Sequence, residues 1–253
     1  MQYSFVDADL RLKELQPIQN KVGLILGLPM GRKNVRREWA HAMMTMGWPM
    51  GVTIMHSLVL DSPVAEAREY ICEQAHLVGA KYVWFVDDDT VPPSVAIRQL
   101  TYQLDQNPDA AAIGGIYVSR YGLPEPIVFR GYGEGVFWDW AVGDVFEVDM
   151  IGTGCFLLRT SALNDIPKPW FRTVDVAVEG ALEDRGLDRI GTIQNTDDMY
   201  FCKKLRAAGK KILAHGGVLC KHWNMDTGEV SELPKDSRPY LLKAARDAAK
   251  AAQ

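Results

Sequence analysis

The stretch KYVWFVDDDTVPP, residues 81–93, joins a hydrophobic segment to three consecutive carboxylates. Five apolar or aromatic residues follow the lysine without interruption. This pattern is typical of a strand buried on both faces, because a strand with one exposed face alternates apolar and polar residues. Two prolines then end the strand, and a helix with one apolar stripe is predicted over residues 94–106. The stretch therefore predicts a buried strand that feeds a helix, the position at which open α/β sheets bind ligands.

Asp87, Asp88 and Asp89 lie at the mouth of this strand. Three adjacent like charges repel one another, and burial raises the cost unless a cation or hydrogen-bond donors hold them. We therefore expect a divalent-metal site that holds a phosphorylated substrate. A solvated acidic turn is the alternative, but it fits poorly because the run is fused to a buried strand.

Strand and helix patterns alternate along the first part of the chain. Strands are predicted over residues 21–28, 51–60 and 81–86, and helices over residues 35–46, 64–78 and 94–106. This alternation predicts parallel strands joined by right-handed crossovers. Short strands without intervening helices are predicted over residues 111–118, 144–150 and 156–159. The expected fold class is therefore α/β, a single Rossmann-like domain with a mostly parallel central sheet and an antiparallel or mixed second half.

The last third of the chain combines a region without a clear pattern and a terminal helix. Residues 167–188 are the least regular part and are interpreted as a loop over the site. A helix over residues 196–208 is followed by strand character over residues 211–215 and 218–221. An Ala-rich amphipathic helix over residues 240–252 is interpreted as a packing tail or a dimer contact, so a homo-oligomer is one expected state.

Composition and charge exclude several classes of protein. The net charge of −4, from 28 basic and 32 acidic residues, argues against sequence-independent binding to a nucleic-acid backbone. The four cysteines share no close spacing, which indicates reduced core thiols and neither a zinc site nor a disulfide framework. No run approaches the length of a membrane span, and residues 1–20 do not resemble a signal peptide. We therefore expect no transmembrane segment and a cytoplasmic location.

A second acidic motif, Thr196-Asp197-Asp198, opens the predicted helix over residues 196–208. Threonine is a good N-cap, and carboxylates in the first turn are stabilised by the helix macrodipole by roughly 0.3–1 kcal/mol each. This structural role alone would explain the motif. The functional alternative is a general base, which must lie within about 3 Å of the hydroxyl that it deprotonates.

His222 follows the last predicted strand and can reach the edge of the sheet where the first acidic run lies. A neutral imidazole with two carboxylates is a ligand set that suits manganese or magnesium, completed by phosphate oxygens. A single histidine is more often a surface or packed residue. Sequence spacing leaves both interpretations open.

The segment Ile151-Gly152-Thr153-Gly154 has two glycines that let the backbone approach a ligand closely. A tight turn between strands uses the same residues, so both interpretations stand.

Together these parts resemble the GT-A-fold glycosyltransferases, most closely their family-2-like members from bacteria and phages. The resemblance rests on a βαβ half, a strand that ends in Asp-x-Asp, a glycine turn, an acidic pair that opens a helix and a late histidine. It covers residues 21–223 and implies a GT-A-like catalytic domain over residues 21–225. Residues 21–110 would form its nucleotide-binding half and residues 111–225 its acceptor half. Residues 1–20 are an expected N-terminal extension, and residues 226–253 an expected tail helix.

The resemblance also implies roles for individual residues. Asp89 would ligate a Mn²⁺ or Mg²⁺ ion, with Asp87 nearer the ribose or the metal, Asp88 in the variable middle position and His222 as a further protein ligand. Donor binding would involve the following residues: Pro29, Asp61, Arg68, Asp87, Asp88, Gly152 and Gly154. Asp198 would be the catalytic base beside Asp197. This acidic pair departs from the usual Glu-Asp, which weakens the transfer of that role.

The implied reaction moves a sugar from a UDP- or GDP-linked donor to an acceptor hydroxyl. The acceptor is unknown, and a modified nucleobase, a lipid and a glycan all fit, so a nucleic-acid acceptor stays among the alternatives. Two rival functions remain. A sugar-phosphate nucleotidyltransferase would use residues 27–33 as a glycine-rich phosphate loop, and a non-catalytic module would bind sugar nucleotides or glycans without turnover.

Overall fold

The computed structural model describes residues 22–120, 122–131, 134–178 and 191–251, with the backbone alone for residues 174–178 and 191–195. The strands are β1 Leu24–Met30, β2 Ile54–Leu60, β3 Tyr82–Val86, β4 Thr90–Val91, β5 Ala110–Ile116, β6 Val128–Phe129, β7 Val145–Val148, β8 Met150–Ile151, β9 Cys155–Arg159, β10 Val174–Val178, β11 Gly191–Asn195, β12 Lys211–Leu219, β13 Lys221–Trp223 and β14 Val230–Ser231. The helices are α1 Arg37–Met44, α2 Val64–Val78, α3 Ala96–Gln106, α4 Asp197–Ala207 and α5 Arg238–Ala251, and a 3-10 helix spans Thr160–Asp165.

Seven strands form the central sheet in the order β2-β1-β3-β9-β5-β12-β7. β1 pairs in parallel with β2 and β3, and β5 pairs in parallel with β12. β9 is antiparallel to both β3 and β5, and β7 is antiparallel to β12. Five of these seven strands therefore run in one direction. The predicted α/β class, with a mostly parallel sheet, a mixed second half and a C-terminal helix, is confirmed.

The position of β9 between β3 and β5 fixes the geometry of the sheet edge. Because β9 is antiparallel to both neighbours, β3 and β5 run in the same direction as β1. The carboxyl ends of β1, β3 and β5 therefore lie at one edge. The segments that follow these strands, which begin at residues 31, 87 and 117, emerge there together.

The apolar run of β3 is buried because helices cover both faces of the sheet. Val83 and Phe85 pack in the cluster that includes residues of α2 and α4. Trp84 and Val86 pack in the cluster that includes residues of α1 and α3. Complete burial of a side chain of this size contributes about 1.5–3 kcal/mol. Packing on both faces explains why the sequence of β3 does not alternate.

Helices α2 and α4 hold the polar residues of this edge. α2 has the predicted bounds, and it ends at Gly79 in the left-handed conformation with φ 66°. α4 packs against β8 and β12. Its Phe201 stacks on Phe171 at 4.2 Å between ring centroids and packs edge-on against Phe156. The start of α4 is therefore held by the hydrophobic core.

Two further expectations concern the region over the site and membrane-spanning helices. Residues 174–178, within the segment 167–188 that was predicted as a loop, form an antiparallel pair with residues 191–195, while residues 179–188 of that predicted loop lie outside the described residues. Within the described parts of the chain, no helix has both the length and the apolar character needed to cross a membrane.

Candidate active site

A cavity of about 610 Å³ opens at the edge where β1, β3 and β5 end. Its walls include five aspartates, three arginines and one histidine: Asp87, Asp88, Asp89, Asp197, Asp198, Arg32, Arg68, Arg120 and His222. The two acidic motifs and the histidine, which lie far apart in sequence, are thus brought together in one cavity. Carboxylates exceed guanidinium groups by two in this set.

Arg68 connects the two acidic motifs. It donates from Nη2 to both carboxylate oxygens of Asp87, at 2.6 and 2.8 Å, and from Nη1 to Asp197. Its side chain is only 3% exposed. Burial lowers the pKa of Arg68, but Asp87 and Asp197 outweigh it and raise the pKa overall, so Arg68 stays charged. Burial raises the pKa of Asp87 to about 6 against the opposing effect of Arg68.

The two carboxylate oxygens of Asp88 differ in their contacts with the described residues. Arg32 pairs with its Oδ1, and the carboxylate is 4% exposed. Its Oδ2 is buried and has no hydrogen-bond partner among the described residues. Burial raises the pKa of Asp88, with Arg32 opposing. A buried carboxylate oxygen without a partner is costly, which makes this atom a candidate acceptor for a ligand or a cation.

Asp89 has the largest number of cationic neighbours in the cavity. Arg120 pairs with its Oδ2, and Nη2 of Arg32 lies 3.3 Å from the same oxygen. Nε2 of His222 lies 3.6 Å from Oδ1. Burial raises the pKa of Asp89, but His222, Arg120 and Arg32 outweigh it and lower the pKa overall. Asp89 is therefore ionised at neutral pH.

His222 reaches Asp89 through a small second sheet. β13 pairs antiparallel with β4, and this register sets His222 opposite Thr90, the residue that follows Asp89. Nδ1 of His222 lies 2.8 Å from the carbonyl oxygen of Val118. Because a carbonyl accepts only, Nδ1 donates, and in the neutral ring the lone pair lies on Nε2, which faces Asp89.

Asp198 differs from its neighbour Asp197 in its partners. Oδ1 of Asp198 accepts from the backbone N–H of Met199 at 3.2 Å, and the hydroxyl of Thr196 also bonds to this carboxylate. Thr196 occupies the N-cap position of α4 but makes no side-chain cap hydrogen bond. Burial and the neighbouring Asp197 raise the pKa of Asp198, with Arg68 opposing. A carboxylate with a raised pKa is a better proton acceptor.

The residues fit a divalent cation that arrives with a diphosphate. In the part of the chain that the structure describes, no three His, Cys, Asp or Glu side chains are arranged to hold a metal ion by themselves. Asp89 and His222 supply an oxygen and a nitrogen donor 3.6 Å apart, and Nδ1 of His222 has the outer hydrogen bond that orients metal-binding histidines. Magnesium usually takes one or two carboxylates and completes its ligands with water and substrate phosphates.

The predicted donor-binding residues divide into two groups. Pro29 and Arg68 line the cavity together with the aspartates. Asp61, Gly152 and Gly154 do not line it, although Ser62, next to Asp61, does. A Cβ at Gly152 would lie 2.7 Å from Cζ of Tyr117, and one at Gly154 would lie 2.7 Å from the hydroxyl oxygen of Thr90. Because these two glycines have no side chain, they leave room for the neighbouring side chains of Tyr117 and Thr90.

Arg32, Tyr117 and Arg120 are wall residues that have no assigned role in the sequence-based site. Arg32 follows β1, and Tyr117 and Arg120 follow β5, so all three lie at the ends of parallel strands. The hydroxyl of Tyr117 accepts from the backbone N–H of Gly154 at 3.1 Å. A basic residue soon after a predicted strand was the available signal for each of the two arginines.

Comparisons with known proteins show a similarity of fold to solved structures. No family model and no curated protein sequence matches the chain. The crystal structure of A197 from STIV shares 14% identity with a TM-score of 0.53, over 83% of this chain and 93% of that chain. TarS 1–349 from S. aureus, in complex with UDP-GlcNAc, shares 13% identity with a TM-score of 0.45, over 77% of this chain and 56% of that one. A second structure of S. aureus TarS shares 13% identity with a TM-score of 0.42, over 76% and 35%. The likeness to A197 concerns the fold alone.

Proposed function

We propose that the chain is a glycosyltransferase that moves a sugar from a UDP- or GDP-linked donor to an acceptor hydroxyl. The observation that supports this most directly is the shared cavity, in which Asp89, His222 and Asp198 lie together. A glycosyltransferase-like fold agrees with it. The reaction needs charge neutralisation at the leaving diphosphate and a base near the acceptor, and the cavity has candidates for both.

Asp89 and His222 are the proposed holders of a Mn²⁺ or Mg²⁺ ion. Such an ion, when bound, acts as a Lewis acid that neutralises charge on the leaving diphosphate. Asp87 and Asp88 belong to the donor side of the proposed site. Asp87 is oriented by Arg68, and Trp39 donates from Nε1 to its backbone carbonyl at 2.8 Å.

Asp198 is the proposed general base because of its partners and its pKa. Asp197 is committed to Arg68 through an ion pair. Asp198 accepts a hydrogen bond from its own helix turn, at the backbone N–H of Met199, and has no ion pair with a described residue. Its raised pKa favours proton uptake. In this proposal Asp198 accepts the proton of the acceptor hydroxyl, while Asp197 and Arg68 fix the start of α4.

A panel of nucleotide sugars, screened with manganese present, tests the proposal. Thermal stabilisation grows with the logarithm of ligand concentration over Kd, so a donor should stand out from the other sugars. Release of UDP or GDP from that donor is the expected result. Release of pyrophosphate from a nucleoside triphosphate and a sugar phosphate would instead indicate a nucleotidyltransferase, and stabilisation without any turnover would indicate a binding module.

A further inference from the structure

Arg32 and Arg120 differ from Arg68 in their exposure. The side chain of Arg68 is 3% exposed, whereas those of Arg32 and Arg120 are 37% and 27% exposed. All three pair with aspartates of the cavity wall. Arg68 is therefore fixed between the buried carboxylate of Asp197 and the partly buried carboxylate of Asp87. Arg32 and Arg120 pair at the open side, where their long side chains can move without disturbing the core.

The charges of the cavity oppose the binding of an anion in the state described. Among the described residues, the wall has five aspartates and three arginines, so a diphosphate would meet an excess of carboxylates there. The guanidinium groups of Arg32 and Arg120 are already paired with Asp88 and Asp89. Opposite charges attract one another even in a partly shielded protein environment, so these pairs compete with any phosphate for the guanidinium groups.

Asp89 is the point where a cation and the arginines compete. Its Oδ2 is shared by Arg32 and Arg120, and its Oδ1 faces His222. A divalent ion at Asp89 and His222 would repel the guanidinium groups from the same carboxylate. Guanidinium groups displaced from Asp89 remain tethered at the wall of the cavity, and their fork of N–H donors matches phosphate oxygens.

We propose that Arg32 and Arg120 are exchangeable counter-ions, which neutralise Asp88 and Asp89 when no cation is bound and bind the phosphate oxygens of the donor once a divalent cation occupies Asp89 and His222. The buried Oδ2 of Asp88, which has no hydrogen-bond partner among the described residues, is a second acceptor beside Asp89 for the arriving cation or its ligands, and such a contact would stabilise Asp88 when Arg32 leaves it. The inference rests on the proposed function and adds the residues that bind the phosphates.

The exchange predicts opposite effects on two ligands. Arg120→Gln removes a competitor of the cation, so Mn²⁺ alone should bind more tightly, by roughly threefold to tenfold. The same variant removes a phosphate ligand, so UDP or GDP should bind at least about tenfold more weakly at saturating Mn²⁺. Isothermal titration calorimetry with Mn²⁺ alone, and then with the nucleotide, measures both. Arg32→Gln should change both affinities in the same directions, and Arg120→Lys should have smaller effects.

Arg238→Gln is the matched control, since it removes one arginine from an exposed pair with Asp139 that lies outside the cavity wall. It should change neither affinity. Opposite shifts in the Arg120 and Arg32 variants, at unchanged melting temperature, support the exchange. Both affinities moving in the same direction, or an unchanged Mn²⁺ affinity, would overturn it while leaving wild-type nucleotide binding and the proposed function intact. Opposite shifts in a protein that turns over no nucleotide sugar would support the exchange and count against the transferase. A wild-type protein that binds no Mn²⁺ would overturn both.

Discussion

The two acidic motifs of the cavity carry the same residue type but are held in different ways. Asp87, Asp88 and Asp89 end a buried strand and face three arginines. Asp197 and Asp198 open a helix, and among the described residues Arg68 forms an ion pair with Asp197. Each motif gives one carboxylate to Arg68, which therefore joins the end of β3 to the start of α4. The shared arginine indicates that Asp87 and Asp197 position the motifs.

Asp89 and Asp198, one carboxylate from each motif, have opposite electrostatic environments. His222 and two arginines outweigh burial and lower the pKa of Asp89, so this group is ionised at neutral pH. Burial and Asp197 raise the pKa of Asp198, so this group accepts a proton more readily. One environment suits the binding of a cation and the other suits general base catalysis. Substitutions that act on one motif and spare the other test this division.

Asp198→Asn should give the largest effect. The amide cannot accept the proton of an acceptor hydroxyl, so turnover should fall by about 10²–10⁴-fold, the range typical of general base catalysis. Nucleotide binding should be retained, because the first acidic motif is unchanged. Initial rates of UDP or GDP release from the donor identified by the panel, together with calorimetric nucleotide affinity, check both parts.

Asp139→Asn is the control for that substitution, since Asp139 is an exposed carboxylate outside the cavity wall. Its rate should equal that of the wild type. A rate for Asp198→Asn within a factor of two of the wild type would show that Asp198 is not the base.

Arg68→Met should destabilise the whole domain, because it leaves the buried Asp197 and the partly buried Asp87 without their counter-ion. Breaking a buried ion pair by removing one partner costs about 3–5 kcal/mol. Urea unfolding of the variant and the wild type measures the loss in free energy of unfolding. The exposed pair offers the comparison, since Arg238→Met should cost less than about 1 kcal/mol. Equal losses in the two variants would contradict the role of Arg68 as the link between the motifs.

Gly152→Ala should have a smaller effect on the free energy of unfolding than Arg68→Met. The new Cβ would collide with the ring of Tyr117, whose hydroxyl accepts from Gly154. Overpacking of this kind costs about 1–3 kcal/mol in free energy of unfolding. Gly31→Ala is the control, because nothing lies within 4 Å of a Cβ at Gly31 and it should change stability little. Stability equal to the wild type in both variants would mean that Tyr117 moves aside freely.

Much of the fold could be predicted from the sequence because the signals were local. The bounds of α2 follow from its apolar stripe and the glycine that ends it, and the burial of β3 follows from its unbroken apolar run. The place of β9 between β3 and β5 could not be predicted, because strand order depends on long-range pairing that leaves no local pattern. Because β9 lies between β3 and β5 and is antiparallel to both, these two strands run in the same direction and end at the edge where the site forms.

The candidate site was predictable where residues of one chemical type stand together. The two acidic motifs and His222 meet in the cavity, as the sequence-based interpretation requires. Arg32 and Arg120 were not assigned because basic residues in loops are common, and their pairing with Asp88 and Asp89 is visible only in three dimensions. The role predicted for Gly152 rested on backbone freedom, whereas the structure shows Tyr117 packed against this glycine.

Calorimetric titration of UDP or GDP, with Mn²⁺ and then with a chelator, tests most directly whether Asp89 and His222 bind a cation that the donor needs. We predict that the wild type binds the nucleotide only with the metal present, and that Asp89→Ala loses this metal-dependent binding. Equal nucleotide affinity in Mn²⁺ and in chelator, or an unchanged metal dependence in Asp89→Ala, would contradict the account.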